Sequence, residues 1–262
     1  MKYVRFKYKD SICYGILRDL EITIIDGSPI SKHTKTTGER VDLNEVELLA
    51  PLIPNEIIGI GANFIADENS RPGVPPSTPI FFNKPKSSVI GPNKNIILPP
   101  GINSVKFEAE IAVIIGKRTE KINEENYQDY IFGVTVGNDV TSPEYFREDG
   151  HWFVGKSFPS FTPLGPVIET DVDLAELSIT SAVNDQPFQD SPTSHMIVSI
   201  PQMMAYLSRV MVLQPGDVIL TGSPVGADFI EEGDTVTCTV SGVGQLTNTV
   251  IRSECTNKVK LK

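Results

Sequence analysis

Residues 105–116 alternate between two faces. Val105, Phe107, Ala109, Ile111, Val113 and Ile115 make one unbroken apolar row, while Lys106, Glu108, Glu110, Ala112 and Ile114 make the other. Successive side chains of a strand point to opposite faces, so the spacing predicts a strand whose first row lies in a core. The second row carries two carboxylates roughly 6 to 7 Å apart by strand rise before it too turns apolar. Two like charges on a half-buried strand either reach water or share a cation.

The same period marks further strands. Residues 3–8 and 12–17 alternate, Glu21–Ile25 follows and ends at the Asp26-Gly27 turn, and together they predict a small β unit at the N-terminus. The apolar run Ile57–Ile60 and residues 79–84 read as short strands, and 131–140 as a β-rich run whose one acid is Asp139. Helical spacing is rare. Asn123, followed by acids, predicts a short helix over 123–130. Residues 201–211 predict a longer one, with Pro201 near its start and Met203, Met204, Leu207, Val210 and Met211 on its apolar side. Gly216-Asp217 and Gly233-Asp234 each sit between apolar and β-branched residues, which predicts tight turns joining short antiparallel strands in a sandwich or barrel. Residues 67–76 are polar, with three prolines and a glycine, the composition of a functional loop or lid. His33, among charged and hydroxyl residues, is expected at the surface.

Composition narrows the function. At 262 residues with 40% hydrophobic and 21% charged content, the chain suits one main globular domain, residues 51–262, and a small β domain, residues 1–50. The net charge of −10 and the lack of a basic run argue against nucleic acid as a partner. No apolar run approaches the ~20 residues of a membrane span and no signal-like segment opens the chain, so a cytoplasmic protein is expected. Cys13, Cys238 and Cys255 follow no metal or disulfide spacing. Glu108, Glu110 and Asp139 each interrupt an apolar strand. As a cluster without a nearby arginine they suit a hard divalent cation, Mg²⁺, Mn²⁺ or Ca²⁺, although Asp139 alone could equally cap a turn with Asn138.

Several motifs then occur in a fixed order: Gly59-Ile60-Gly61-Ala62-Asn63-Phe64, Pro79 to Pro85, Phe107-Glu108-Ala109-Glu110, Gly137-Asn138-Asp139-Val140-Thr141, Trp152 to Phe158, Pro163-Leu164-Gly165-Pro166 and Pro215 to Gly226. In that order they resemble the fumarylacetoacetate hydrolase family, bacterial type, and in particular its diene-dioate isomerase and acylpyruvate hydrolase members. The resemblance implies a mainly β, α+β fold: a mixed β-sandwich roll, preceded by a small N-terminal β domain. It further implies a homodimer, and a small oxo acid chelated by a divalent metal, usually Mg²⁺ or Mn²⁺, on Glu108, Glu110 and Asp139. Lys156 matches a substrate-facing lysine. Thr221 and Gly222 match a turn lining the substrate carboxylate, Lys84 matches a family lysine, and Phe64 stands at a substrate-side position. The implied chemistry is C–C hydrolysis, with isomerisation or tautomerisation, decarboxylation, or metal and oxo-acid binding without turnover as alternatives. Each reaction passes through an enolate, which a Lewis acid and a lysine stabilise.

The chain departs from the family in its proton-handling groups. Hydrolytic members carry His-x-x-Glu after the first motif, where this chain has Asp67 and Ser70. The family's Ala-Arg-Asp-x-Gln stretch reads Ser142-Pro143-Glu144-Tyr145-Phe146. Asp67 or Glu68 on the lid, or His151 beside Trp152, are the candidate bases in place of the missing dyad. His195 is expected to be structural.

Overall fold

The computed structural model describes residues 1–31, 34–147 and 150–253. His33 and Cys255 lie outside the described residues. Two mixed β-sheets hold most of the regular structure of the described chain, as the fold class anticipates. The larger sheet runs, edge to edge, Thr36–Asp42, Glu21–Ile25, Ser11–Arg18, Lys2–Tyr8, Thr162–Glu169, Ile131–Asn138, Ala109–Ile115, Val218–Leu220, Ile57–Ile60 and Phe81–Lys84. The N-terminal strands therefore extend the sheet of the larger region, joined where Lys2 and Tyr3 pair with Glu169 and Ile168. The second sheet orders Gln186–Pro192, Ser178–Val183, Thr235–Val240, Gly244–Arg252 and Ile96–Leu98.

Ala109–Ile115 is central and buried along its whole length. Its odd-numbered row packs into the main core with Val134, Val136 and Ile219, and Ala112 and Ile114 face a second cluster with Ile57, Leu164, Ile168 and Leu220. Burial on both faces is why its apolar pattern is nearly continuous. The strand starts four residues later than the alternation predicts. At 105–108 the chain is held by loop segments instead: Lys106 bridges Thr141 and Phe229, and the Asp139 amide donates to the Glu108 carbonyl at 2.8 Å.

The glycines at both Gly-Asp turns have positive φ, 90° at Gly216 and 95° at Gly233, a conformation costly for any side chain. One of the turns leads into a different pairing from the expected one. Val218–Leu220 is antiparallel to Ala109–Ile115 but parallel to Ile57–Ile60, so the two parallel strands deliver Gly61 and Thr221 to the same edge of the sheet.

The long helix spans Ile200–Val210. Ser199 caps it, with the Gln202 side chain accepting from the Ser199 amide at 2.9 Å, and Met203, Met204 and Leu207 are buried. Val210, expected on the apolar side, is 65% exposed because it sits at the last turn beyond the sheet. Residues Glu124–Tyr130 form a 3₁₀ rather than an α-helix. Cys13 and Cys238 are free thiols, the latter buried, and burial pushes its pKa up.

Candidate metal centre

Glu110 sits in the strand Ala109–Ile115 opposite Gly137, and Asp139 lies just past the end of the neighbouring strand Ile131–Asn138. Asn138 does not pair with Asp139 in a turn. Its side chain accepts from the Glu108 amide at 2.9 Å, so the Asn-Asp pair and Glu108 hold one another in place. One oxygen from each of Glu108, Glu110 and Asp139 lies within 4.8 Å of the others.

Two lysines meet this cluster. Lys84, fully buried, donates to Asp139 Oδ1 and to the Val140 carbonyl at 3.0 Å. Lys156 donates to Asp139 Oδ2, to Glu108 Oε2 at 3.0 Å and to Thr141 Oγ1 at 2.9 Å, with its Nζ 4.3 Å from the centre of the Phe82 ring. The Glu110 carboxylate is held differently: it accepts from the Gly222 amide at 2.7 Å.

The electrostatics follow from those contacts. Burial, then the charges of Asp139 and Glu108, outweigh Lys156 and the Gly222 amide and hold the Glu110 carboxyl well above the ordinary carboxylate range. Burial opposes ionisation of Asp139 as well, but Lys156 and Lys84 together reverse the balance and keep its pKa low. Burial disfavours the Lys156 ammonium too, yet Asp139 and Glu108 raise its pKa, so Lys156 is a cation at any physiological pH. Three carboxylates against two ammonium groups leave one negative charge in excess, and a proton on Glu110 removes it. The donors are oxygen only, with no imidazole or thiolate in the cluster, which fits a hard divalent ion and not zinc.

Above the acids lies a cavity of about 210 Å³. Its walls come from Ile60, Gly61 and Ala62, from Phe82, from Phe146 and Trp152, and from Ser223, Pro224 and Ala227. The structure thus brings together Glu108, Glu110, Asp139 and Lys156. Lys84 serves the site from behind, paired with Asp139 and not lining the cavity. Thr221 does not line it either: its hydroxyl donates to the Ile111 carbonyl at 3.1 Å, and Gly222 holds a proposed metal ligand where a substrate carboxylate was expected. Phe64 is a core residue bridged to Met196, because Asn63 beside it ties the segment to Val198 and to the Thr221 carbonyl.

None of the three candidate bases reaches the cavity wall. Asp67 accepts from the amides of Asn69 and Ser70 at 2.9 and 3.1 Å, capping the short 3₁₀ turn Glu68–Ser70. Glu68 forms a two-pronged pair with Arg71 at 2.8 and 2.9 Å. His151 is exposed, although its neighbour Trp152 lines the site. His195 bonds Ser191 and supports the Ile65 amide through its carbonyl.

The motif reading passed over the aromatic wall and Gln189. Trp152 stacks on Phe146 with ring centres 5.4 Å apart and 17° between planes. Space for the indole exists because residue 61 is glycine: a Cβ there would fall 2.0 Å from Trp152 Cζ3. Buried Gln189 accepts from the Ala109 amide at 3.1 Å and from Ser181 Oγ at 2.9 Å, and donates to Ser223 Oγ at 2.6 Å and to the Pro224 carbonyl at 2.7 Å. With all four hydrogen-bonding positions filled, it clips the residue between two acids to the opposite wall.

Comparison with known proteins supports the same grouping. The family described as fumarylacetoacetate (FAA) hydrolase, C-terminal, matches residues 56–251, and Rv2993c-like, N-terminal, matches residues 1–51. Oxaloacetate tautomerase FAHD2A, mitochondrial, of Bos taurus is 36% identical over 79% of this chain and 70% of its own length. The structure of 5-carboxymethyl-2-hydroxymuconate delta-isomerase from Mycobacterium smegmatis superposes with a TM-score of 0.90 at 37% identity, covering 97% of this chain and all of that one. Maleylpyruvate hydrolase from Sphingobium sp. SYK-6, in complex with manganese (II) ion and pyruvate, superposes with a TM-score of 0.80 at 28% identity over 97% of this chain and all of its own. A match over most of the sequence, on a fold of two mixed sheets with clustered acids, makes this chain a member of the fumarylacetoacetate hydrolase family.

Proposed function

We propose that this protein is a divalent-metal-dependent enzyme that moves a proton within a small 2-oxo acid, interconverting its keto and enol forms. The observation that carries this reading is the acid triad with Lys156 upon it, at the floor of a cavity whose described lining contains no histidine–carboxylate pair to take a proton from water. Relatives include an oxaloacetate tautomerase and an isomerase, which is the same class of chemistry.

Glu108, Glu110 and Asp139 would hold a hard divalent ion, which when bound supplies Lewis acidity toward the charge of an enolate. Lys156 adds a fixed ammonium beside the acids. Asp139 and Glu108 hold it charged in the metal-free site, where it is an electrostatic partner; an ion shared by those carboxylates would weaken that hold, and Nζ, the one amine on the cavity floor among the described residues, would then take the C3 proton and deliver it to the enol oxygen. Lys84 keeps Asp139 ionised and turned toward the cluster. Phe82, Phe146 and Trp152 shield the floor from water, which strengthens each of these interactions.

C–C hydrolysis is the second reading, favoured by the likeness to a maleylpyruvate hydrolase. NMR in D₂O separates the two. With Mg²⁺ present, the tautomerase reading expects deuterium exchange at C3 of oxaloacetate or an acylpyruvate, lost with a chelator. Release of pyruvate and a carboxylic acid from the acylpyruvate would instead establish hydrolysis.

A further inference from the structure

The cavity divides sharply by chemistry. Its floor is ionic, but its walls are apolar from Ile60 through Ala62, at Phe82, Phe146 and Trp152, and at Pro224 and Ala227. Among the described lining residues Ser223 carries the one hydroxyl in the wall; its Oγ accepts from Gln189 at 2.6 Å, which leaves a single O–H to donate. Among the described lining residues the sole cation is Lys156, which is committed to Glu108 and Asp139. A second carboxylate on a substrate would therefore lose its water against an apolar wall, with little there to replace it.

The wall is also aromatic and preformed. Phe146 and Trp152 stack nearly parallel, Phe82 meets Trp152 with ring centres 6.1 Å apart, and the indole is seated against the backbone at Gly61. Apolar character continues outward along the chain: Phe153 and Val154, next to Trp152, are 54% and 51% exposed, and Val225, next to Pro224, is 53% exposed. Such a surface complements a planar, uncharged group, which gains both area and ring contacts from it.

We infer that the site selects 2-oxo acids whose second arm is uncharged and planar, an aryl or conjugated alkenyl group laid against Phe146 and Trp152, over those whose second arm carries a carboxylate. The inference rests on the reading of the acid floor as a metal site that chelates a 2-oxo acid.

The test uses two probes that lack an enolisable hydrogen, so that binding is read apart from turnover: benzoylformate, with an aryl arm, and ketomalonate, with a second carboxylate. Oxalate, which has no arm, is the control. Trp152 is the only tryptophan in the chain, so its fluorescence in the Mg²⁺-loaded protein reports directly on the wall. Benzoylformate is expected to change that fluorescence and to bind at least about tenfold more tightly than ketomalonate. Phe146→Arg, checked by circular dichroism and by Mg²⁺ affinity, is expected to reverse the order, and Phe146→Leu to weaken benzoylformate several-fold more than it weakens oxalate. Tighter binding of ketomalonate by the native protein, or an order untouched by Phe146→Arg, would overturn the inference. If oxalate binds and benzoylformate does not, the arm preference fails alone. If oxalate fails to bind, the metal-chelation reading fails and takes the preference with it.

Discussion

The acid floor and the lip above it are built on opposite plans. On the floor, every charged group is held by contacts far away in sequence: Lys84 reaches Asp139 across 55 residues, Lys156 reaches Glu108 across 48, and Gly222 reaches Glu110 across 112. At the lip, the acids bond locally, Asp67 to its own turn and Glu68 to Arg71 three residues on, and Arg71 alone carries the segment's side-chain bonds to distant carbonyls, those of Ser194 and Met196 at 2.6 and 3.2 Å. Long-range partners fix geometry through the core, whereas local ones leave a segment free to move as a unit. The floor is therefore suited to holding an ion at fixed distances, while the lip, whose acids bond within their own turn, hangs on the rest of the chain through Arg71.

The comparison is broken most forcefully at the floor. Glu110→Gln or Asp139→Asn removes a ligand, and should weaken Mn²⁺ binding in calorimetry by about a hundredfold or more, since even partners behind the ligands typically matter by about 10- to 100-fold. Lys84→Met leaves Asp139 charged and buried with one cation fewer. Urea unfolding of the metal-free protein should show a loss of about 3–5 kcal/mol, and Mn²⁺ should recover part of it. A loss below 1 kcal/mol, on the order of a surface ion pair, would show that Asp139 does not depend on this lysine.

Metal binding should also strengthen with pH. Glu110 has its pKa raised, so at low pH it carries a proton that an incoming ion must displace. Across the range where that proton is present, affinity should rise by about tenfold per pH unit or more, because burial raises the Glu108 carboxyl as well, and titrations in buffers of different ionisation enthalpy should show at least one proton released. Affinity independent of pH would mean that Glu110 is ionised before the ion arrives.

Smaller effects sharpen the boundary between the two regions. Gln189→Leu cuts the tie between Ala109 and the Ser223-Pro224 wall. It should weaken Mn²⁺ by about tenfold, as a residue acting through others does, and lower the midpoint of thermal unfolding by several degrees, since each buried partner left unpaired costs about 1–3 kcal/mol. Glu68→Ala should alter turnover by less than about twofold if Glu68 serves only to hold Arg71. A drop of about a hundredfold, typical of removing a general base, would place this carboxylate over the substrate on closure.

Much of the floor was legible in the sequence because burial leaves a period. Acids that break apolar rows, as Glu108, Glu110 and Asp139 do, are visible without knowing what lies beside them, and the family motifs added Lys156. The partners were not visible. That Lys84 pairs with Asp139, or that Gly222 holds Glu110, depends on which strands lie side by side, and period does not encode strand order. Trp152 reaches the cavity only because Gly61, 91 positions earlier in the chain, lacks a side chain. Phe64 misled for the same reason: a motif position says which segment nears the site, while Asn63 and Met196 decide which way the ring turns. The cap at Asp67 was in plain view as Asp-x-x-Ser, yet its prolines and polarity read as unstructured loop.

The parallel pairing of Ile57–Ile60 with Val218–Leu220 has a consequence for the order of events during synthesis. A ribosome must release the chain past Gly222 before Glu110 can receive its amide, and the Asn63 side chain waits for a carbonyl 158 residues downstream. Closing so long a loop is slow and comes late. The nascent chain can build its N-terminal strands early, but an ion-binding floor arises only once Gly222 has emerged, so metal capture would mark a chain that has passed that point.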